Sequence, residues 1–256
     1  MTIYLFTRSI VLLIDSFKDN NITRPVLVIV DFGLDKEKYY YLILLTLHLV
    51  AYLCATLTVN GAMILSMLLE HACGMFEIIG HKMTTALNEN QDHNNKFSSK
   101  NNLQQEIIIC VKMHKKVLLF VDDIHKLYST AYFLIFGLCI LDLSITGVQT
   151  VMFINNAREA ARFGFHTFSQ AFHLFLLTIP TQHLLDVSLC ISDCIYCANW
   201  FQLSIANKKS LLIIMKRAAE PTKLIVGGVF TVSLEFFKKV ISTSISYFTV
   251  FLAVRK

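Results

Sequence analysis

The sequence predicts an all-α, polytopic transmembrane helical bundle of four full spans plus a stub, and composition and hydropathy carry that prediction. Of 256 residues, 55% are hydrophobic and 16% charged, against roughly 25% charged in an ordinary soluble domain. Mean hydropathy is +0.56, and the apolar residues are gathered into long runs. Such a chain in water would expose large apolar patches, which excludes soluble enzymes, disordered regulators and disulfide scaffolds. Three prolines and nine glycines exclude collagen-like and low-complexity chains. The net charge of +5 has no basic stripe behind it, so no nucleic acid is implied; the lipid bilayer is the partner the composition demands. Most of the seven cysteines (Cys54, Cys139, Cys190, Cys194 and Cys197 among them) lie inside apolar runs, as thiols do in lipid or protein interior.

Residues 1–38 read as a helix stub and an extracellular loop, and residues 39–256 as the transmembrane domain. The stub, 2–14, is too short to span and looks like the end of a helix whose beginning is absent; Arg8 and the lack of a small-residue cleavage site argue against a signal peptide. The first span, about 39–69, runs about thirty residues without a charge, more than the ~20 a bilayer needs. The second, about 127–157, is interrupted only by Asp142. The third, about 163–207, holds Pro180, Asp186 and Asp193 and is long enough to extend into the cytoplasm. The last, about 224–254, carries Glu235, Lys238 and Lys239. All four are expected to be helices, because a lipid-crossing segment must satisfy its own backbone hydrogen bonds.

Residues 70–126 hold Lys82, Lys96, Lys100, Lys112, Lys115, Lys116 and Lys126, and residues 208–223 hold Lys208, Lys209, Lys216, Arg217 and Lys223. The connection between them has Arg158 and Arg162 alone. The positive-inside tendency puts the two basic loops in the cytoplasm and the C-terminus outside, with Arg255-Lys256 as the one dissenting pair. The sequon Asn21-Ile22-Thr23 falls on the outer side, making Asn21 the glycosylation candidate. Residues 88–105, rich in Asn, Gln and Ser, read as a disordered cytoplasmic loop.

An intramembrane carboxylate is costly, so Asp142 marks a proton relay, an ion path or a helix–helix partner, or else sits near the bundle interior hydrogen-bonded to Ser144 or Thr146, or at a span end. Asp186 and Asp193 are seven apart, share a helix face, and fit electrostatic contact with the basic loop that follows. His183, Cys190, Cys194 and Cys197 repeat at i, i+7, i+11 and i+14, which spreads them along one helix side rather than converging them on a metal. His71 and Cys73, and His166 and His173, match no metal motif either; no metal site and no cofactor is expected. There is no GxSxG, Walker A or GxGxxG pattern, so nothing supports an enzyme. In the last span, Ser242, Ser246, Val250 (or Thr249) and Ala253 form a stripe of small and hydroxylated residues, which suits close helix packing and equally the wall of a hydrated path.

Several motifs together resemble the insect odorant receptors, in particular the expanded sets of ants, bees and wasps. They are His71-Ala72-Cys73-Gly74-Met75-Phe76, Asp186-Val187-Ser188 with Tyr196-x-x-x-Trp200, Lys209 through Pro221 running into Gly227-Gly228-Val229-Phe230, and Ser233 through Val250; Asp35-Lys36-Glu37-Lys38-Tyr39 resembles the outer loop entering helix four. The resemblance implies helices four to seven of a seven-helix subunit, preceded by the end of helix three, with the earlier helices missing. It implies a subunit of an odorant-gated cation channel, heterotetrameric with an odorant co-receptor subunit, in the plasma membrane with the C-terminus extracellular. By position, Val250, Ala253 and Val254 resemble pore residues, and Asp186, Asp193 and Trp200 fall in or near the subunit anchor. Leu44, Leu47, His48 and Ala51, with Phe168, Phe172 and Phe175, resemble the lining for a small volatile apolar ligand.

Overall fold

The structure is a computed structural model that describes residues 39–89 and 96–254. The stub and Asn21 lie outside the described residues. The chain divides into two compact units, Met1–Ile64 and Leu65–Lys256.

Helix α1, Tyr40–Glu89, supplies the described part of the first unit. There its apolar side chains point outward on all sides: Leu42, Leu45, Leu49, Val50, Leu53 and Leu57 are all more than half exposed. A helix apolar all round fits a lipid surface. From Leu65 onward the same helix has a sided pattern, and Leu65, Leu69, Ala72, Phe76, Ile79, Met83 and Leu87 are buried. Steps of three and four put these on one face.

In the second unit, α2 (Lys96–Met152), α3 (Ala157–Cys197) and α5 (Leu234–Val254) pack on one another, and α2 and α3 also meet the later part of α1. Along α1 and α2 the contacts run in opposite directions: His71 against Phe120, Phe76 against His114, and a 3.0 Å Lys82–Glu106 ion pair. The α2–α3 pair is likewise antiparallel, with Asp142 meeting Gln170 and Phe153 stacked on Phe163. Helix α5 runs with α2, from the Phe136–Phe236 contact to Phe248 beside Gly147. Among the described residues three helices, within Leu45–Asn88, Leu103–Met152 and Ala157–Cys197, are long and apolar enough to cross a membrane. At 1.5 Å per residue each is far longer than the ~30 Å hydrocarbon layer and must continue beyond it.

The expected boundaries differ in several places. Residues 70–89 and 96–126, read as parts of a basic loop, are helical and belong to α1 and α2. Of the residues read as a disordered loop, 96–105 are helical and open α2. Leu103, Ile107 and Cys110 bury at i, i+4 and i+7, so packing further along carries the polar first turns into the helix. The third segment is not one helix to residue 207. Helix α3 ends at Cys197, a 3-10 turn covers Trp200–Gln202, and a separate helix, α4, spans Ile205–Ala218. Ser204 has the extended conformation of an N-cap, and α4 buries Asn207, Leu211, Ile214 and Ala218 on one face. The last helix starts at Leu234 rather than 224, because a β-hairpin precedes it: β1, Ile225–Val226, pairs antiparallel with β2, Phe230–Thr231. Gly227 and Gly228 turn the hairpin at φ +62 and +71, left-handed values that glycine adopts at little cost and that a type I′ turn requires at both central residues.

Candidate functional site

The half of the α2–α3 pair nearest their connection carries a polar cluster. The Asp142 carboxylate accepts a 3.0 Å hydrogen bond from the Gln170 side-chain amide and stands 3.9 Å from His166 Nδ1. One turn on, Thr167 Oγ1 lies 3.0 Å from Thr146 Oγ1, whose hydroxyl donates to the Asp142 backbone carbonyl at 2.8 Å. Ser144 instead donates to the Ile140 carbonyl. The partner of Asp142 is therefore on the neighbouring helix, and neither Ser144 nor Thr146 holds its carboxylate. Gln170 and His166 share a face of α3 at i and i+4, and His173, at i+7, has a buried Nε2 without a hydrogen-bond partner among the described residues. Gln170 does not stand out in the sequence, because a lone glutamine in a span has no motif.

This clasp leads to a stability prediction. Asp142→Asn keeps an oxygen that accepts from Gln170 and is expected to cost less than about 1 kcal/mol. Asp142→Ala leaves the half-buried Gln170 amide unpaired and is expected to cost more, about 1–2 kcal/mol. Thermal unfolding in detergent reads the difference; equal losses from both substitutions would exclude the clasp.

Below the clasp, Pro180 sits buried inside α3, where it cannot donate to the carbonyl four residues earlier. The Thr178 and Thr181 hydroxyls bond the Phe175 and Thr178 carbonyls at 2.7 and 2.8 Å. Phe175 packs on Phe237 of α5 with ring centroids 5.5 Å apart. Phe168 and Phe172 are stacked on each other at 6.2 Å and are exposed. The three phenylalanines thus divide, two forming an open aromatic surface and one contacting α5. On α1, Leu47, His48 and Ala51 are partly exposed; Leu44 lies in the same helix, with its side chain outside the described residues.

Helix α5 has two unlike faces. Phe236 and Val240 are buried and Ser244 and Phe248 partly so, at steps of four, toward α2 and α3. Ser242, Ser246, Thr249, Val250 and Ala253 are exposed. Two hydroxyls on this open face serve their own helix: Ser246 donates to the Ser242 carbonyl at 2.9 Å and Thr249 to the Ser246 carbonyl at 2.8 Å. Bonded back to the helix, these two leave a surface that is only mildly polar. Val254 ends α5.

At the opposite end of the bundle, Asp186 is exposed and accepts from Gln182 at 2.9 Å, Asp193 is exposed, and Trp200 opens the 3-10 turn, half-buried. Gln182 also accepts from the Leu234 backbone N–H, and the Ser188 hydroxyl oxygen accepts from that of Thr222. These two bonds tie α3 to both ends of the segment that leads into α5.

A family model described as 7tm Odorant receptor matches residues 1–245. The chain belongs to the insect odorant receptor family. That family is one of multi-pass membrane receptors of smell and not of enzymes. Odorant receptor Or2 of Anopheles gambiae is 29% identical over 150 residues, covering 56% of this chain and 38% of the relative. Odorant receptor 9a of Drosophila melanogaster is 25% identical over 177 residues, covering 69% and 42%. The chain therefore spans less than half the length of these odorant receptors. The solved insect olfactory receptor OR5 from Machilis hrabei, in complex with eugenol, superposes with a TM-score of 0.77 over 95% of this chain and 60% of that one, at 16% identity. A second structure of OR5 gives 0.72 over 87% and 56%, at 15% identity. At such identities the likeness is one of fold, an all-α membrane bundle with several long apolar helices.

Proposed function

We propose that this odorant receptor chain is a subunit of a heteromeric odorant-gated cation channel, paired with an odorant co-receptor subunit. In that reading it lies in the plasma membrane with its basic segments, 70–126 and 208–223, cytoplasmic and its C-terminus outside. The observation that carries the proposal is the two-faced α5. One side is packed by aromatic and aliphatic residues, while the other offers Ser242, Ser246, Thr249, Val250 and Ala253 as an open stripe of small and hydroxylated side chains. Four such helices around an axis make a mildly polar path with an apolar narrowing at Val250 and Val254. Phe168 and Phe172 supply the aromatic surface that a small volatile apolar ligand needs; Leu44, Leu47, His48 and Ala51 are further candidates by their place in the family pattern. Phe175 touches Phe237 of α5, so displacement of Phe175 by a ligand is transmitted to the pore helix. Asp186, Asp193 and Trp200 belong to the end of the bundle where subunits are anchored.

The test is substituted-cysteine labelling of cells making this chain with the co-receptor, under odorant. A charged thiol reagent is expected to abolish more than about half of the current in Val250→Cys and Ser246→Cys, since a charge in a narrow path is a large electrostatic barrier. Val240→Cys, on the packed face, is expected to keep its current. Equal sensitivity of the two faces, or current that requires a soluble signalling component, would refute the channel reading.

A further inference from the structure

Sequence spacing separates His183 from Glu70 by 113 residues, yet the fold brings them together. Glu70, Cys73 and Glu77 lie at i, i+3 and i+7, on one side of α1. From α3, His183 reaches into that side: Nδ1 is 3.0 Å from Glu70 Oε2, and Nε2 is 3.8 Å from Glu77 Oε1. A carboxylate oxygen of Glu70, the Cys73 thiol and a His183 ring nitrogen all lie within 4.8 Å of one another. As an ion pair alone this arrangement contributes little, because Glu70 and His183 are 50% and 41% exposed. It also gives the buried Cys73 sulfur no role.

We propose that Glu70, Cys73 and His183 bind a divalent cation of the zinc class, clasping α1 to α3. The donor set selects the metal: thiolate and imidazole suit zinc, whereas calcium and magnesium take oxygen ligands. Ligands around tetrahedral zinc stand roughly 3.3–3.8 Å apart, given bonds of about 2.0–2.3 Å. The observed spread closes to that by side-chain rotations on the order of 1 Å, with Glu70 and His183 free to turn at the surface. The cation takes Nδ1, on the Glu70 side, and water completes the fourth position. Nε2–H is left to donate to Glu77, which fixes the tautomer and ring orientation as a carboxylate partner of a ligating histidine does. Binding displaces the Cys73 thiol proton to solvent, with no change of oxidation state. The site lies apart from the α5 stripe and the phenylalanine surface, and stands independently of the channel reading.

The experiment titrates the purified full chain in detergent with Co2+, then displaces it with Zn2+. Expected is one equivalent of Co2+ with a thiolate-to-cobalt charge-transfer band. Cys73→Ser and His183→Gln, with unchanged helicity by circular dichroism, are each expected to weaken binding by about 100-fold or more, since loss of a ligand exceeds the usual cost of losing its outer partner. X-ray absorption of the Zn2+-loaded unsubstituted chain is expected to show one sulfur ligand at about 2.3 Å beside nitrogen and oxygen ligands at about 2.0–2.2 Å. This second readout needs no variant and decides the matter where one fails to fold. A band that persists in Cys73→Ser, which would move the metal to Cys190, Cys194 and Cys197, overturns the proposal. So does a zinc shell with two or three sulfurs, or with none.

Discussion

Gly227→Ala is expected to cost about 3 kcal/mol or more and to lower the unfolding midpoint by on the order of 10 °C. Two independent effects add. The backbone there is left-handed, φ +62, which costs a residue with a Cβ about 1–2 kcal/mol. The Cβ itself would stand 2.3 Å from Phe133 Cδ2 and 2.7 Å from Cγ. Phe133 is stacked on Phe230 of the same hairpin, so the ring must leave that stack to make room. The Gly227 N–H, which donates to Ser129 Oγ at 3.1 Å, would be pulled from its partner as well. Gly228 is the control. Its φ is +71, but nothing lies within 4 Å of a Cβ built there, so Gly228→Ala is expected to show the backbone cost alone. Thermal unfolding of the two variants in detergent checks this. Equal losses would mean that the Phe133 contact carries no energy.

Phe236→Ala is expected to cost about 3–4 kcal/mol, in the range for emptying a phenylalanine site. Phe236 is 7% exposed and packs against Phe136 and Phe230, with ring centroids 5.3 and 5.8 Å away. Phe136 in turn meets Tyr132, and Tyr132 meets Tyr128, one turn apart along α2. The ladder holds the hairpin and the start of α5 on α2 at once, so the loss is expected to reach both. Where lipid surrounds a helix, packing and not water exclusion supplies this energy, so most of the cost comes from the cavity left behind. Protease sensitivity between β2 and α5, measured beside the thermal midpoint, is expected to rise. An unchanged midpoint would show that the site refills.

Much of the architecture is legible in the sequence because lipid imposes a simple rule. A segment without water must be helical and apolar, so the long runs beginning near 39, 127 and 163 announce their helices through composition alone. The same rule says nothing about where a helix ends once it leaves the membrane. That is why residues 96–105, the break between Cys197 and Ile205 and the hairpin depart from expectation: their state is set by burial of Leu103, of Leu211 and of Val226 against distant parts of the chain. Gly227-Gly228 is visible, yet a glycine pair does not itself say whether a helix or a turn surrounds it. Asp142 stands out as a charge in a span, while its partner does not, since Gln170 is 28 residues away and unremarkable by type.

By itself, the sequence determined that this protein lives in a bilayer and that its last helix has a hydroxylated stripe. Both are one-dimensional properties, of hydropathy and of spacing along a single helix. Only the tertiary structure decided which face of α5 is packed. It alone shows that Phe175 turns to α5 while Phe168 and Phe172 remain open, and that His183 meets Glu70 and Cys73. Those facts depend on which turn of one helix lies beside which turn of another. That register is fixed by side-chain packing across the interface, a relation between distant residues that no local spacing encodes.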